Sequence, residues 1–131
     1  MSQENVEIVR SIYEALNRGD WDAATRLTDA DFEVTIERGP NAGSHRGRDS
    51  IQAVIEDQRE AFDSWIVEVE QVADGGDQVV AMITNHLQPR GTDARFEMRN
   101  GHVWTIRDGV ALSLRGFSNP EEALEAAGLR E

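Results

Sequence analysis

The apolar positions change period along the chain, and each change marks an element. Val6, Val9, Ile12, Tyr13 and Leu16 recur every three or four residues, which predicts a helix over about residues 3 to 18 with polar residues on its other face. Gly19 closes it by taking the left-handed conformation, and Asp20 caps a shorter helix carrying Trp21, Ala24 and Leu27. In "DFEVTIE" the period drops to two. Phe32, Val34 and Ile36 share one face and Glu33, Thr35 and Glu37 the other, as in a half-buried strand. Asp29 and Asp31 read as turn and start residues flanking that strand. The glycine-rich stretch "RGPNAGSHRG", residues 38 to 47, reads as a loop. Asp49 then caps a third helix with Gln52 as reciprocal partner, and its stripe is Ile51, Val54, Ile55 and Phe62, completed by Gln58.

After Ser64 the pattern is that of strands. "WIVEVEQVA" and "QVVAMITNHLQ" flank "DGGD", a hairpin signal. "PRGTDA" is a second turn, "RFEMRNGHVWTIR" a third strand, Asp108-Gly109 a turn and "VALSLRGF" a further strand. Asn119-Pro120-Glu121-Glu122 starts a last helix, with a cap, proline at the first helical position and a glutamate following, and Gly128 stops it. No repeat or linker interrupts this order, so residues 1–131 are expected to form a single domain. Helices gathered on one side of an antiparallel sheet make an α+β fold. A long curved sheet wrapped around the N-terminal helices encloses a cone, and a cone has a mouth that suits a small molecule.

Composition narrows the partners. The formal net charge of -12 opposes phosphate backbones, so nucleic acid is not an expected partner. An anionic membrane surface is disfavoured for the same reason, no apolar stretch is long enough to span a bilayer, and "MSQENVEIVR" lacks the features of a signal peptide. The absence of cysteine excludes disulfides and thiolate chemistry and fits the cytoplasm. The three histidines lack metal-site spacing, and no phosphate loop, dinucleotide fingerprint or nucleophile elbow occurs, so no cofactor and no metal is called for.

The blocks "IYEALNRGDWDAATRL", "GRDSIQAVI", "GGDQVVAMI", "HVWTIRDG" and "EEALEAAGL" resemble, in order and spacing, SnoaL-like proteins of the NTF2-like superfamily. The resemblance covers nearly the whole chain and implies a cone-shaped α+β barrel. Ketosteroid isomerases, polyketide cyclases, dehydratases, epoxide hydrolases and non-enzymatic binding or dimerisation modules share that fold, so the fold alone does not decide among them. Ketosteroid isomerase uses a carboxylate base with a tyrosine and a protonated aspartate as oxyanion donors. Alignment on "LNRGD" puts the tyrosine position at Ile12, with Tyr13 about 100° further round the helix. It puts the base position at Ile36, with Glu37 on the opposite side of the strand and so outside the cavity unless a bulge turns it in. Steroid isomerisation is therefore not expected. The third position falls on Gly101, or on His102 if the Asp108-Gly109 turn is one residue shorter. The second register is preferred because it sets Met98, Asn100, Trp104 and Ile106 on one face with His102.

The candidate site follows from that face. His102 reads as a general acid or base, or as a hydrogen-bonded residue packed on Trp104. Asn85 is set with Val79, Ala81 and Ile83 on the concave face, where it orients a substrate carbonyl or ends the strand. Tyr13 is a cavity donor or a core residue. Ile12 and Leu16 of the first helix, Phe32, Val34 and Ile36 of the first strand, Ile55 of the third helix, and Ile83, Met98, Asn100 and Trp104 of the later strands are expected to line the pocket. Trp65 and Trp104 can stack on a flat ligand, Arg99 and Arg115 can hold an anion or a surface acid, and His45 is solvated or part of a lid. The expected partner is a small hydrophobic molecule. The expected reaction, if one occurs, is cofactor-free proton transfer on a polycyclic or aromatic ketone; the alternative is a non-catalytic binding or dimerisation module. Met82, Thr84, His86 and Gln88 fall on the convex face, where a homodimer contact is expected.

Overall fold

The computed structural model describes residues 2–38 and 42–129. Helices α1 (Ser2–Arg18) and α2 (Trp21–Thr25) lead into strand β1 (Thr28–Ile36). Strand β2 (Gly43–Arg46), helix α3 (Arg48–Ala61), strands β3 (Phe62–Gly75), β4 (Gln78–Pro89), β5 (Phe96–Arg107) and β6 (Val110–Phe117), and helix α4 (Pro120–Ala126) follow. The strands form one six-stranded sheet in the order β2-β1-β6-β5-β4-β3. All pairs are antiparallel except β1 with β6. The sheet stays open, with β2 and β3 at its edges. Register shifts in β1, β3 and beside the β5–β6 turn place bulges that bend the long strands around the helices.

The capping chemistry read from the sequence is present at three ends. Gly19 has φ 74°. Asp20 accepts from the Ala23 amide at 3.0 Å. Asn119 accepts from the Glu121 amide at 2.7 Å, with Pro120 in the first turn. The third helix differs: Gly47 is its cap, with no side-chain cap bond, so Asp49 sits in the first turn instead. Phe62 opens β3 rather than closing α3. Asp29 and Asp31 lie within β1, where an Asp29 carboxylate oxygen accepts the Asp31 amide at 2.8 Å beside the register shift.

The stretch 38–47 is not all loop. Residues 39–41 lie outside the described residues, but Gly43–Arg46 pairs with β1 from Glu33 to Ile36. Partnering by β1, not local propensity, makes those residues a strand.

Alternation divides the sheet into two faces. Val79, Ala81, Ile83, Trp104 and Ile106 point inward and pack with Val9, Ile12 and Tyr13 of α1 and Phe32 of β1. Val80 and Val103 point outward beneath Ala123 of α4. The outer face is therefore partly covered, and Met82 and Thr84 are buried on it at 7% and 4% exposure, contrary to the open surface expected there. Among the described residues no helix is long and apolar enough to cross a membrane.

Candidate functional site

Between the inner face of the sheet and helices α1 and α3 lies a cavity of about 610 Å³. Its walls come from Ile12 and Leu16 of α1, Phe32, Val34 and Ile36 of β1, and Ile55 of α3. Met98, Asn100, His102 and Trp104 of β5 and Asn85 of β4 complete one side. Ile83 does not reach it: that side chain is 1% exposed and belongs to the core behind the wall. Ile12 and Tyr13 both line the cavity, although neighbours on a helix point in different directions.

The choice between His102 and Gly101 is settled by packing. His102 faces the cavity. A Cβ on Gly101 would stand 2.6 Å from the Ala123 Cβ and 2.7 Å from the Pro120 Cα, so Gly101 is the outward position against which α4 rests. Opposite His102 on β6 sits Gly116, whose missing side chain leaves the imidazole's Cδ2–Nε2 edge open.

Three polar side chains meet at the cavity wall. The Trp104 indole Nε1–H donates to the Tyr13 hydroxyl oxygen at 2.9 Å, and that hydroxyl lies 2.6 Å from His102 Nδ1. An indole N–H can only donate. Tyr13 is 3% exposed, its hydroxyl must place its own hydrogen somewhere, and an unsatisfied buried donor is costly. It therefore donates to Nδ1. His102 is thus the neutral tautomer with its proton on Nε2; that nitrogen has no protein partner among the described residues, and its side chain lines the cavity. Ring packing holds the group: Tyr13 stacks on His102 at 5.9 Å and meets Trp104 edge-on at 5.5 Å, and Phe32 stacks on Trp104 at 6.0 Å.

Electrostatics agree with this assignment. Burial among apolar groups lowers the His102 pKa from 6.5 to about 4, so the ring is uncharged at neutral pH. Burial also pushes the Tyr13 phenol well above its usual range, against a smaller opposite effect of the Trp104 bond. With Nδ1 occupied, His102 offers the cavity an N–H donor.

Asn85 is engaged by its neighbours at both ends of its amide. Its Oδ1 accepts from Trp65 Nε1 at 3.0 Å, and its Nδ2 donates to the Met98 carbonyl at 3.1 Å and to Asn100 Oδ1 at 2.6 Å. Both amide hydrogens are occupied, so Asn85 positions its neighbours and cannot also donate to a carbonyl.

The open end is charged. Glu37, Arg38, Arg48 and Asp57 are exposed and contribute to the lining there, and His45 joins them from β2 opposite Val34. Glu37 was expected outside the cavity because its neighbour Ile36 points in. It lies one residue beyond β1, where strand alternation no longer applies. The sequence carried a signal for Leu114, which alternation places beside Trp104, and none for Asp57 or Phe117. Arg99 and Arg115 do not join the site: Arg99 pairs with Glu70 at 3.2 Å and Arg115 lies over the Phe117 ring. Among the described residues no three His, Asp or Glu side chains gather as a metal site.

Residues 9–112 match the model of the SnoaL-like domain. No curated protein matches the sequence. Among solved structures the chain is similar to TerC co-crystallised with polyporic acid, with 20% identity, 95% of this chain and 98% of that one covered, and a TM-score of 0.80. It is similar to an NTF2-like protein of Burkholderia thailandensis, with 27% identity, 93% and 95% covered, and a TM-score of 0.77. A protein of ketosteroid isomerase-like fold from Catenulispora acidiphila, in complex with trimethylamine, aligns at 18% identity over 95% and 94%, with a TM-score of 0.76. These likenesses assign the NTF2-like fold.

Proposed function

The chain belongs to the SnoaL-like family, and from that premise we propose that it binds a small, flat, mainly apolar ketone with the carbonyl oxygen on His102 Nε2–H. The observation that carries this reading is the neutral imidazole whose far nitrogen is tied to Tyr13 while its near one opens on an apolar cavity. Aromatic and aliphatic walls remove ring surface from water, and a single well-placed donor orients what they hold. Native mass spectrometry of the purified protein tests the reading. A co-purified aromatic or polycyclic ketone is the expected result. If polycyclic ketones also fail to bind the emptied protein in calorimetry, the reading is wrong.

The position of Glu37 favours a second reading, cofactor-free proton transfer on the bound ketone, as in isomerisation, aldol cyclisation or dehydration. A neutral imidazole polarises a carbonyl as its electrophile in triosephosphate isomerase. Here His102 would hold the enolate oxygen while the Glu37 carboxylate, beside Ile36 at the mouth, takes the carbon-bound proton. Tyr13 and Asn85 serve as positioning residues. The check is NMR detection of deuterium entering the α-carbon of a bound ketone in heavy water, abolished by Glu37→Gln. Exchange no faster than in buffer leaves the protein a binder only. We further propose a homodimer through the outer sheet face, where Ile66 is 44% exposed beside His86. Light scattering that gives a monomer at micromolar concentration would remove that proposal.

A further inference from the structure

Each inward polar residue of β5 ends a hydrogen-bond chain that begins at a tryptophan. The first runs from Trp104 through Tyr13 to His102. The second begins at Trp65, whose Nε1–H donates to Asn85 Oδ1. That bond, with the donation from Asn85 Nδ2 to the Met98 carbonyl, decides which end of the Asn85 amide is which, because an indole only donates and a carbonyl only accepts. The second Asn85 hydrogen goes to Asn100 Oδ1 at 2.6 Å, so Asn100 is left to present its NH2 group. One hydrogen of that group is aimed at the Phe117 carbonyl at a long 3.4 Å, and among the described residues the other has no protein partner. Asn100 lines the cavity two residues from His102.

We propose that the two relays make this wall a donor-only site, and that its ligand carries two acceptor oxygens, as a quinone or diketone does. Same-face neighbours on a strand stand about 7 Å apart at Cα, a spacing that suits oxygens on opposite sides of one six-membered ring. An aromatic amine of the same size is a poor acceptor, because its lone pair is delocalised into the ring, and its N–H hydrogens meet the wall's donors, which then go unpaired. Reversing either donor means breaking its relay: the Nδ1–H tautomer of His102 orphans the Tyr13 hydroxyl, and a flipped Asn100 faces the Asn85 NH2 with its own. This inference rests on the ketone-binding reading and adds which groups a ligand must carry and must not.

The test has two arms. Nitrogen-15 NMR of the imidazole rings reads the His102 tautomer directly, with or without a ligand. The Nε2–H form is expected, and the Nδ1–H form overturns the inference. The second arm measures binding of 1,4-naphthoquinone, 1,4-diaminonaphthalene and naphthalene by calorimetry. The chain has no cysteine and no lysine, so the quinone meets no thiol or side-chain amine. The quinone is expected to bind about tenfold tighter than naphthalene, the scale of two neutral hydrogen bonds, and the diamine more weakly than naphthalene. Tyr13→Phe keeps the ring and Trp65→Phe keeps a smaller aromatic ring while cutting one relay each, and each should bring the quinone-to-diamine ratio towards one. Equal binding of quinone and diamine while naphthalene also binds overturns the donor-only wall and leaves the apolar cavity standing. Failure of all three to bind overturns the ketone reading and this inference with it.

Discussion

Two histidines on one sheet show how differently its faces are built. On the inner face His102 is neutral, enclosed by rings and bonded to a tyrosine 89 residues away in sequence. On the outer face His86 lies 2.7 Å from a Glu68 oxygen and 3.4 Å from a Glu97 oxygen, with all three side chains at least 40% exposed. Nearby Glu70 accepts from Thr84 and pairs with Arg99, and its carboxyl is held below the usual range first by the Thr84 bond and then by Arg99. Inner polar groups sit in a setting where each unmade bond is costly, so their directions are determined. Outer charges share the solvent, and their pairing is worth little.

The comparison breaks most severely at Trp104. The side chain is 2% exposed, stacks on Phe32 and donates to Tyr13. Trp104→Ala should cost about 3–5 kcal/mol, the range for large aromatic truncations in a core. Trp104→Phe keeps most of the packing and should cost about 1 kcal/mol more than a conservative swap, for the lost hydrogen bond. Urea unfolding at constant slope measures both. Equal losses for the two variants would mean that the relay, not the packing, holds the inner face.

Acid attacks the inner histidine next. Below its ordinary pKa of 6.5 the unfolded imidazole takes up a proton that the folded one refuses until about pH 4. Protons in that window favour the unfolded chain, so stability associated with His102 is intact above pH 6.5 and is lost as the pH falls towards 4. Each pKa unit corresponds to about 1.4 kcal/mol, which sets a ceiling of roughly 3 kcal/mol. The checking measurement is the stability difference between wild type and His102→Gln at pH 7.5 and 4.5, which cancels the titration of the carboxylates. A difference independent of pH would place His102 in a solvated setting rather than an apolar one.

Helices α1 and α4 and the faces of β4 and β5 were legible because their signals are local: a stripe, a cap, a strict alternation. The preference for His102 over Gly101 also came from alternation, since Met98, Asn100, Trp104 and Ile106 follow one another on one face. Strand β2 was not legible, because its Gly43–Arg46 sequence becomes a strand only through its partner β1. The parallel pairing of β1 with β6 has no local signature either. Ile83 shares the concave face but lies too deep to meet the cavity, which depends on where α1 rests. The relays were out of reach for the same reason. Tyr13 and Trp104 are 91 residues apart, and only the closed fold gives their hydrogen bond a direction.

Gly101 separates the faces within a single residue step. Its Cβ position is occupied by Ala123 and Pro120, so Gly101→Ala must push α4 off the outer face. Overpacking of this kind costs about 1–3 kcal/mol. Hydrogen exchange should show α4 opening more often while the ring of His102 keeps its tautomer in NMR. Loss of that tautomer would show that the two faces are coupled through β5 rather than independent.

The smallest effect is expected at His86 itself. Its partners Glu68 and Glu97 are solvent-exposed, and such pairs contribute between nothing and about 1 kcal/mol. His86→Ala should therefore shift stability by about 0.5 kcal/mol or less, with little dependence on salt, since two acids left facing each other in water are weakly coupled. The measurement is urea unfolding at two salt concentrations and two protein concentrations. If the outer face pairs two copies of the chain, unfolding becomes concentration-dependent, and His86→Ala lowers stability more at high protein concentration than at low, because dilution has already separated the pair. A loss well above 1 kcal/mol that does not depend on concentration would mean that His86 is held within its own chain as firmly as His102, and the contrast between the faces would fail.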